Sequence, residues 1–246
     1  MTQDSREEKE NAGAPPGHRP VRSFVLRAGR LTTGQQRALD ELWPLYGIEE
    51  GDDQLNLAEL FGNDHPVILE IGFGNGEATW QMASRQPGDN FLGVEVHKPG
   101  VGHLLLKIEE HGLDNLRIAS EDAVDLLGSR IADQSLGGVR IYFPDPWPKK
   151  RHHKRRIVQP GFVALLARKM MPGGILHLAT DWEPYAEHML EVMQDSPAFE
   201  NLSPGGGSCP RPEWRPETKY EKRGERLGHG VYDLVFRLLP EQERSE

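Results

Sequence analysis

Three glycines at alternate positions follow the first long apolar run of the sequence. The stretch Leu69–Gly76 is LEIGFGNG, with Gly72, Gly74 and Gly76 placed shortly after Glu70. Glycine adopts backbone conformations that other residues avoid, so such a loop turns sharply from a strand into a helix and brings its backbone against a ligand. The helix amino terminus favours the acidic end of that ligand. We predict a nucleotide-type cofactor loop, although a tight turn alone would use the same glycines.

Two further acids stand at the ends of the next two apolar runs. Glu95 ends the run FLGVEV, where a carboxylate accepts hydrogen bonds from both ribose hydroxyls of an adenosine. Asp122 follows the run LRIAS and is placed to meet an adenine edge. Either residue alone could simply cap the helix that follows it, because aspartate is a good N-cap. Together, the acids Glu70, Glu95 and Asp122 stand at or near the ends of three successive apolar runs, and this pattern favours an adenosine-containing cofactor.

The spacing and charge of the glycine loop discriminate between two such cofactors. NAD-dependent dehydrogenases use GxGxxG, whereas this loop is GxGxG preceded by Glu70. A carboxylate would repel the pyrophosphate of NAD, but the ammonium and sulfonium of S-adenosylmethionine suit the acidic set Glu70, Glu95 and Asp122. We therefore favour S-adenosylmethionine as cofactor. A nicotinamide-dependent oxidoreductase is the alternative enzyme class.

A second segment with chemical potential, PDPWPKKRHHKRR, spans Pro144–Arg156. Prolines on both sides of Asp145 fix the local backbone, and the adjacent Trp147 offers an apolar wall or a stacking surface for a base. Residues 149–156 then carry six Lys or Arg in a chain whose net charge is −9. Such a local concentration of positive charge predicts contact with phosphate in preference to a solvated basic face.

The elements that must position these residues alternate regularly from His65 onward. Apolar runs and helix-length amphipathic segments predict an α/β domain with a doubly wound, mostly parallel sheet of about seven strands and helices on both faces. The predicted strands are 67–72, 91–96, 116–120, 139–143, 175–180 and 231–238. The predicted helices are 76–85, 99–111, 123–131, 159–171 and 183–194. Asp145 and Asp181 then follow neighbouring strands, while His177 is predicted to be packed rather than catalytic.

Three regions are expected along the chain. Residues 1–20 are rich in Glu, Lys, Gly and Pro and are predicted to be a disordered tail. Residues 21–63 are predicted to form a basic arm followed by a helix over 35–42 that ends before the next proline. The catalytic domain is predicted over 64–240. Within it, the loop 203–230 is rich in Pro, Gly and charge, which is typical of a functional or a disordered loop.

Composition narrows the class of protein further. The single Cys209 allows no internal disulfide and no thiolate-rich zinc site, and no Cys or acid lies at metal spacing from His152 and His153, so no metal is expected. The sequence has no apolar stretch typical of a secretory signal or a membrane span. We expect a cytoplasmic protein without a membrane partner, as a monomer or weak homodimer.

Five stretches carry a specific resemblance to a known family. They are RSFVLRAGRLTTGQQ (22–36), EIGFGNG (70–76), PDPWPKKRHHKRRIV (144–158), ATDW (179–182) and RPETKYEKRGERLGHGVYDL (215–234). On these stretches the sequence resembles the bacterial tRNA (guanine-N7)-methyltransferases, and the resemblance covers nearly everything after Pro20. The resemblance implies a Rossmann-like class I methyltransferase fold, S-adenosylmethionine as cofactor and tRNA as partner. The implied reaction is methyl transfer to N7 of a guanine in the tRNA variable loop, at position 46 in tRNA numbering.

The same resemblance implies roles for individual residues. The cofactor site is lined by Glu70, Glu95, Asp122 and Asp145 together with the glycines of the loop, Gly72, Gly74 and Gly76. Asp145 is also the implied catalytic residue. The implied substrate contacts are Lys149, Asp181, Thr218, Lys219, Tyr220 and Glu221. The implied RNA-binding residues are Arg151, His152, His153, Lys154, Arg155 and Arg156.

The chemistry of the implied reaction makes modest demands on these side chains. Guanine N7 has a free lone pair, so no proton need be removed before attack on the sulfonium methyl, and a strong general base is unnecessary. Asp145 and Asp181 could instead accept hydrogen bonds from the N1 and N2 donors of guanine and stabilise the charge that develops on its ring. The alternative from another class is an RNA-binding module with an inactive methyltransferase fold, against which the intact set of acids argues.

Overall fold

A computed structural model describes residues 22–24, 29–217, 221 and 230–244 of the chain. The predicted tail 1–20 lies outside these residues. The strands are β1 (Gly47–Ile48), β2 (Val67–Ile71), β3 (Asn90–Val94), β4 (Leu116–Ala119), β5 (Leu136–Tyr142), β6 (Met170–Thr180), β7 (Phe199–Asn201) and β8 (Tyr232–Leu238). The helices are α1 (Thr33–Glu41), α2 (Trp43–Tyr46), α3 (Leu57–Phe61), α4 (Glu77–Arg85), α5 (Lys98–His111), α6 (Ala123–Asp125), α7 (Pro160–Lys169) and α8 (Glu183–Gln194). A π-helical turn over Leu126–Arg130 and two short 3-10 helices, Lys150–Arg155 and Glu241–Glu243, complete the described elements.

The strands form one sheet in the order β1-β4-β3-β2-β5-β6-β8-β7. β1 to β6 are parallel to one another, whereas β8 runs antiparallel to both β6 and β7. From β2 the chain moves outward through β3 to β4 and then returns to the other side of β2 for β5. The strand order therefore reverses between β2 and β5, and in open α/β sheets ligands bind at the carboxyl ends of the strands beside such a reversal.

Alternate residues of the strands enter two separate apolar clusters. Ile68 of β2 packs into a cluster with side chains of α1, α4 and α5, whereas its neighbour Leu69 packs into a second cluster with side chains of α7 and α8. Successive side chains of a strand point to opposite faces, so the sheet is covered by helices on both sides. The predicted doubly wound, mostly parallel architecture is confirmed.

The sheet has eight strands rather than about seven, because two short edge strands went unpredicted. β1 and β7 have two and three residues, which is too few for a period-two pattern to be recognised. The predicted helix 123–131 is also not uniform, since α6 passes into a π-helical turn over Leu126–Arg130.

The helix predicted over 35–42 is present as α1, which begins at a capping box. The side chain of Thr32 accepts from the backbone N–H of Gln35, and the side chain of Gln35 accepts from the backbone N–H of Thr32. α1 ends at Glu41, before Pro44 as predicted, and the separate short helix α2 then carries Pro44 in its first turn. Proline is tolerated there, where its missing N–H has no helical partner. No helix within the described ranges is long and apolar enough to cross a membrane.

Candidate active site

The glycine loop after β2 lines an open space at the reversal of strand order. Gly72, Gly74 and Gly76 have φ of 72°, 61° and 75°, in the left-handed region that favours glycine. A Cβ added at Gly72 or Gly74 would meet nothing within 4 Å, so the backbone here forms a cradle that a ligand can enter. Gly76 is the N-cap of α4, and a Cβ there would lie 2.6 Å from the side chain of Leu104. The predicted sharp turn from strand to helix is therefore confirmed.

Glu70 lies near the end of β2, directly before this cradle, and its side chain is buried. Its Oε2 has no hydrogen-bond partner within the described part of the chain. Burial raises the pKa of Glu70 to about 7; Thr79 and Arg140 oppose this shift, and Glu95 adds to it. A buried carboxylate oxygen without a partner is costly, so the position suits a ligand that brings a donor or a positive charge.

Glu95 follows β3 and organises the loop that the cofactor would touch. Its Oε2 accepts a hydrogen bond of 2.9 Å from the backbone N–H of Gly74. Its Oε1 accepts from the backbone N–H groups of Val96 and His97, at 2.8 and 2.9 Å. Each carboxylate oxygen has two lone pairs, so these three bonds leave one acceptor position, on Oε2, for a hydroxyl group of a ligand.

Asp122 follows β4 and serves as a helix cap while lining a cavity. Its side chain accepts from the backbone N–H of Val124 at 2.9 Å, which caps α6. Asp122 therefore does cap the helix that follows it, which was the alternative role predicted from the sequence. Asp122 also lines a cavity of about 800 Å³ that includes Val96 and the arm residues Arg22 and Phe24. This volume falls in the range of small-molecule and cofactor sites.

Asp145 and Asp181 follow two strands that are adjacent in the sheet. β5 and β6 pair in parallel with Tyr142 opposite Ala179, and both aspartates are exposed just beyond the strand ends. The backbone N–H of Phe143 donates to the carbonyl of Ala179 at 2.7 Å, which ties the two ends together. The predicted adjacency of the two strands is confirmed.

The turn that carries Asp145 is bounded by two residues in an unusual backbone conformation. Phe143 and Trp147 have φ of 51° and 46°, which aromatic residues rarely adopt. Such strain is found where the surrounding structure holds a functional turn in place.

Trp147 is engaged by other parts of the protein. The guanidinium carbon of Arg155 lies over its ring, 3.9 Å from the ring centroid, and its Nε1 donates to the carbonyl of Ser23 at 3.1 Å. Arg155 thus occupies one face of the ring. The sequence had predicted Trp147 as a wall or stacking surface for a base, but it gave no sign of this contact.

The basic run 149–156 contains some cations that are exposed to solvent and others that bond to the protein itself. Lys149, Arg151 and Lys154 are exposed on or beside the 3-10 helix. Arg155 instead donates to the carbonyl oxygens of Arg22 and Phe24, both at 3.1 Å. The exposed members are therefore the ones free to meet phosphate in the described structure.

The histidines of the run are partly buried. Burial and the surrounding cations lower the pKa of His152. At neutral pH, His152 is thus neutral and adds no charge to a phosphate contact.

Arg156 departs from the expectation for an RNA-binding residue. It is 3% exposed, and its guanidinium donates to the carbonyl oxygens of Pro146 and Pro184 at 2.9 and 3.3 Å. Its guanidinium carbon also lies 4.7 Å from the ring centroid of Tyr185. Arg156 thus joins the Asp145 turn to α8, and the predicted phosphate contact has to be corrected for this residue because its guanidinium is inside the protein.

The long loop contributes one described site residue and several buried partners. The predicted substrate contacts Thr218, Lys219 and Tyr220 lie outside the described residues. Glu221 is buried in a bidentate ion pair with Arg215, at 2.7 and 2.8 Å.

His177 is fully buried, which confirms that it is packed. Within the described ranges, no group of three His, Cys, Asp or Glu side chains could hold a metal ion.

Two solved structures to which this chain is similar are methyltransferases. The aminoglycoside resistance methyltransferase NpmB1 superposes with a TM-score of 0.51 at 16% identity, covering 74% of this chain and 92% of that protein. The 16S rRNA methyltransferase KamB gives a TM-score of 0.51 at 16% identity, covering 76% and 95%. At such low identity these likenesses show the fold, a class I methyltransferase fold.

Sequence relatives define the family more narrowly. The family model "Putative methyltransferase" matches residues 64–234. The tRNA (guanine-N(7)-)-methyltransferase of Alcanivorax borkumensis is 60% identical over 218 residues, covering 89% of this chain and 91% of the relative. That of Stutzerimonas stutzeri is 54% identical, covering 97% and 100%. The chain belongs to the tRNA (guanine-N7)-methyltransferase family, which confirms the resemblance found in the sequence.

Proposed function

We propose that this chain transfers a methyl group from S-adenosylmethionine to N7 of a guanine in tRNA, forming 7-methylguanosine. The observation that carries the proposal is a row of acids at the carboxyl ends of the parallel strands. Asp122, Glu95, Glu70, Asp145 and Asp181 belong to the carboxyl ends of β4, β3, β2, β5 and β6, which are five consecutive strands. The strand order reverses at the middle of this row.

The residues beside the glycine loop fit S-adenosylmethionine. When bound, this cofactor supplies a methyl group on a positively charged sulfur. Glu70, whose buried Oε2 has no partner among the described residues, suits the ammonium group, and Glu95 and Asp122 suit the ribose hydroxyls and an adenine edge. An acidic neighbourhood attracts this cationic ligand and repels the pyrophosphate of NAD, which argues against the oxidoreductase alternative.

Asp145 and Asp181 would orient the guanine. We propose that their carboxylates accept hydrogen bonds from the N1 and N2 donors, which presents N7 in line with the methyl group and its sulfur. The charge that develops on the ring is stabilised by the same carboxylates. Alignment of this kind supplies roughly 7 to 11 kcal/mol of the barrier reduction, so no general base is required.

The exposed cations beside this row would hold the RNA backbone. Lys149, Arg151 and Lys154 are proposed to bind phosphates around the target guanine, which we place in the variable loop at position 46 of tRNA. Substrate contacts from Thr218, Lys219, Tyr220 and Glu221 are part of the same proposal. The reaction is proposed to occur in the cytoplasm. Since one chain supplies all five acids of the row, a monomer or weak homodimer suffices.

The direct test is the product. The purified chain is incubated with S-adenosylmethionine and tRNA that lacks 7-methylguanosine, and the digested nucleosides are analysed by mass spectrometry. We expect 7-methylguanosine with the wild-type chain and a strongly reduced yield with Asp145→Asn. Absence of 7-methylguanosine from the wild-type reaction would overturn the proposal. Binding of labelled S-adenosylmethionine with no product would favour the inactive RNA-binding module, and preferential binding of NAD would favour the oxidoreductase.

A further inference from the structure

We propose that Arg215 is a positioning residue of the substrate site. Its buried guanidinium holds Glu221 and Asp233 in fixed places beside the turn that carries Asp145. The inference rests on the proposed function, because it assigns Arg215 an effect on methyl transfer to tRNA.

The guanidinium of Arg215 makes two bidentate ion pairs. Its Nη1 and Nη2 donate to the two carboxylate oxygens of Glu221 at 2.7 and 2.8 Å. Its Nε and Nη2 donate to the two carboxylate oxygens of Asp233 at 2.6 and 2.8 Å. The Arg215 side chain is 0% exposed, and those of Asp233 and Glu221 are 2% and 4% exposed. The planar fork of arginine thus fixes both carboxylates at once, which a lysine ammonium cannot reproduce.

Asp233 connects this guanidinium to the sheet. It lies in β8 opposite Ala179 of β6, and its Oδ1 also accepts from Nε2 of His177 at 2.7 Å. The Nδ1 of His177 accepts from Nε1 of Trp214 at 3.1 Å, and an indole can only donate, so Nε2 carries the hydrogen. Burial lowers the pKa of His177 to about 4, which keeps the ring neutral. The Arg215 guanidinium thus stands between two carboxylates, Asp233 is oriented by a neutral histidine, and the exposed Arg211 lies 4.0 Å from Glu221.

The same guanidinium lies beside the Asp145 turn. The Cζ of Arg215 is 5.7 Å from the ring centroid of Phe143 and 5.9 Å from that of Tyr142. Tyr142 ends β5, and Phe143 is the strained residue that begins the turn. Arg215 therefore contacts the base of the turn and, through Asp233, the strand that leads to Asp181.

The ion pair with Glu221 also closes a short stretch of the long loop. Arg215 and Glu221 are six positions apart, and the proposed substrate contacts Thr218, Lys219 and Tyr220 lie between them in the sequence. The ion pair therefore joins the two described residues that flank these proposed contacts in the sequence.

The cost of the network favours a geometric role over a stabilising one. Two buried carboxylates and a buried guanidinium lose their hydration, and apolar residues of similar volume often give equal or greater stability. What the ions provide is a single arrangement, because four directional hydrogen bonds define where each carboxylate lies.

Arg215→Lys is the informative variant, because it keeps the charge and loses the fork. At saturating tRNA we expect kcat for 7-methylguanosine formation to fall at least tenfold. The dissociation constant for S-adenosylmethionine should stay within about twofold, and the melting temperature should show a folded chain. The matched control is Arg237→Lys, which alters an exposed arginine–glutamate pair on the same strand as Asp233 and should leave kcat unchanged.

Asp233→Asn provides a second route to the same answer, because asparagine keeps the shape and loses one charged pair. We expect it also to fold and to lower kcat. Wild-type turnover in Arg215→Lys would overturn the inference, and so would unfolding of both variants, since the network would then serve stability alone. Failure of the proposed function is distinct, because the wild-type chain itself would then form no 7-methylguanosine.

Discussion

Arg155 lies over the ring of Trp147, with 3.9 Å between its guanidinium carbon and the ring centroid. This contact joins the two halves of the segment 144–156, the rigid turn around Asp145 and the basic helix. The same guanidinium binds the backbone carbonyls of Arg22 and Phe24, two residues that line the cavity beside Asp122. Arg155 therefore holds part of the wall of the cavity proposed for the cofactor, in addition to any contact with RNA.

We expect Arg155→Ala to weaken binding of both ligands. Loss of two hydrogen bonds to the arm, each contributing about 1 kcal/mol, should raise the dissociation constant for S-adenosylmethionine by up to about thirtyfold. Lys154→Ala is the control, because Lys154 is exposed on the same helix and should affect tRNA alone. Calorimetric titration of each variant with the cofactor measures the difference. Equal cofactor affinity in both variants would show that the arm contact does not shape the cavity.

The exposed cations should set the salt dependence of tRNA binding. Each phosphate contact on irregular RNA contributes about 0.7 to the slope of log affinity against log salt concentration. We expect Lys149→Gln, Arg151→Gln and Lys154→Gln each to reduce the slope by about that amount and to leave cofactor affinity unchanged. Filter binding at several salt concentrations gives the slopes. A slope that is unchanged in all three variants would place the phosphate contacts elsewhere.

Glu70 should make the stability of the cofactor-free chain depend on pH. Burial raises its pKa from the ordinary 4.5 to about 7. A carboxyl with a raised pKa in the folded state contributes stability that is present below its unfolded pKa and lost as pH rises through its folded pKa. Between about pH 4.5 and pH 7, this group alone should lower the free energy of unfolding by about 3 kcal/mol.

Urea unfolding of the wild-type chain and of Glu70→Gln, at pH 5 and at pH 8, tests this expectation. Glutamine does not titrate, so the variant should lose less stability between the two pH values than the wild-type chain. The same loss in both proteins would mean that Glu70 titrates as an ordinary carboxyl.

Asp145→Asn should reduce turnover much more than binding. Removal of one preorganised electrostatic contact with the reacting group typically costs about 10² to 10³ in rate. We expect a loss of this size in kcat, with a smaller effect for Asp181→Asn. The control is Asp64→Asn, an exposed aspartate that precedes the amino-terminal end of β2, whereas Asp145 follows the carboxyl end of β5. Single-turnover assays with excess enzyme isolate the chemical step. Near-wild-type turnover in Asp145→Asn would show that Asp145 has no part in the mechanism.

The central part of the fold follows from the sequence because its signals are local. β2 and α4 are each defined by an apolar pattern, and the glycines between them require the turn that the structure shows. The edge strand β7, with three residues, forms only because β8 presents free backbone groups beside it. Such pairing depends on residues distant in sequence, so no local pattern could predict it.

The site was predicted less completely, for a similar reason. Arg155 and Arg156 belong to a run of six basic residues that looks uniformly exposed, yet one stacks on Trp147 and the other is buried against Tyr185. Arg215 gave no signal in the sequence as a buried charge, because its partner Asp233 lies in another element. These assignments depend on three-dimensional proximity, which composition and spacing do not encode.

The most direct test of the central claim replaces the reacting atom. Two tRNA transcripts are compared, one with guanosine at position 46 of the variable loop and one with 7-deazaguanosine, which has carbon in place of N7 and keeps the N1 and N2 donors. We predict stoichiometric methyl transfer from labelled S-adenosylmethionine to the first transcript and none to the second. Equal methylation of both transcripts would contradict the account, because the methyl group would then be placed on another atom or another nucleotide.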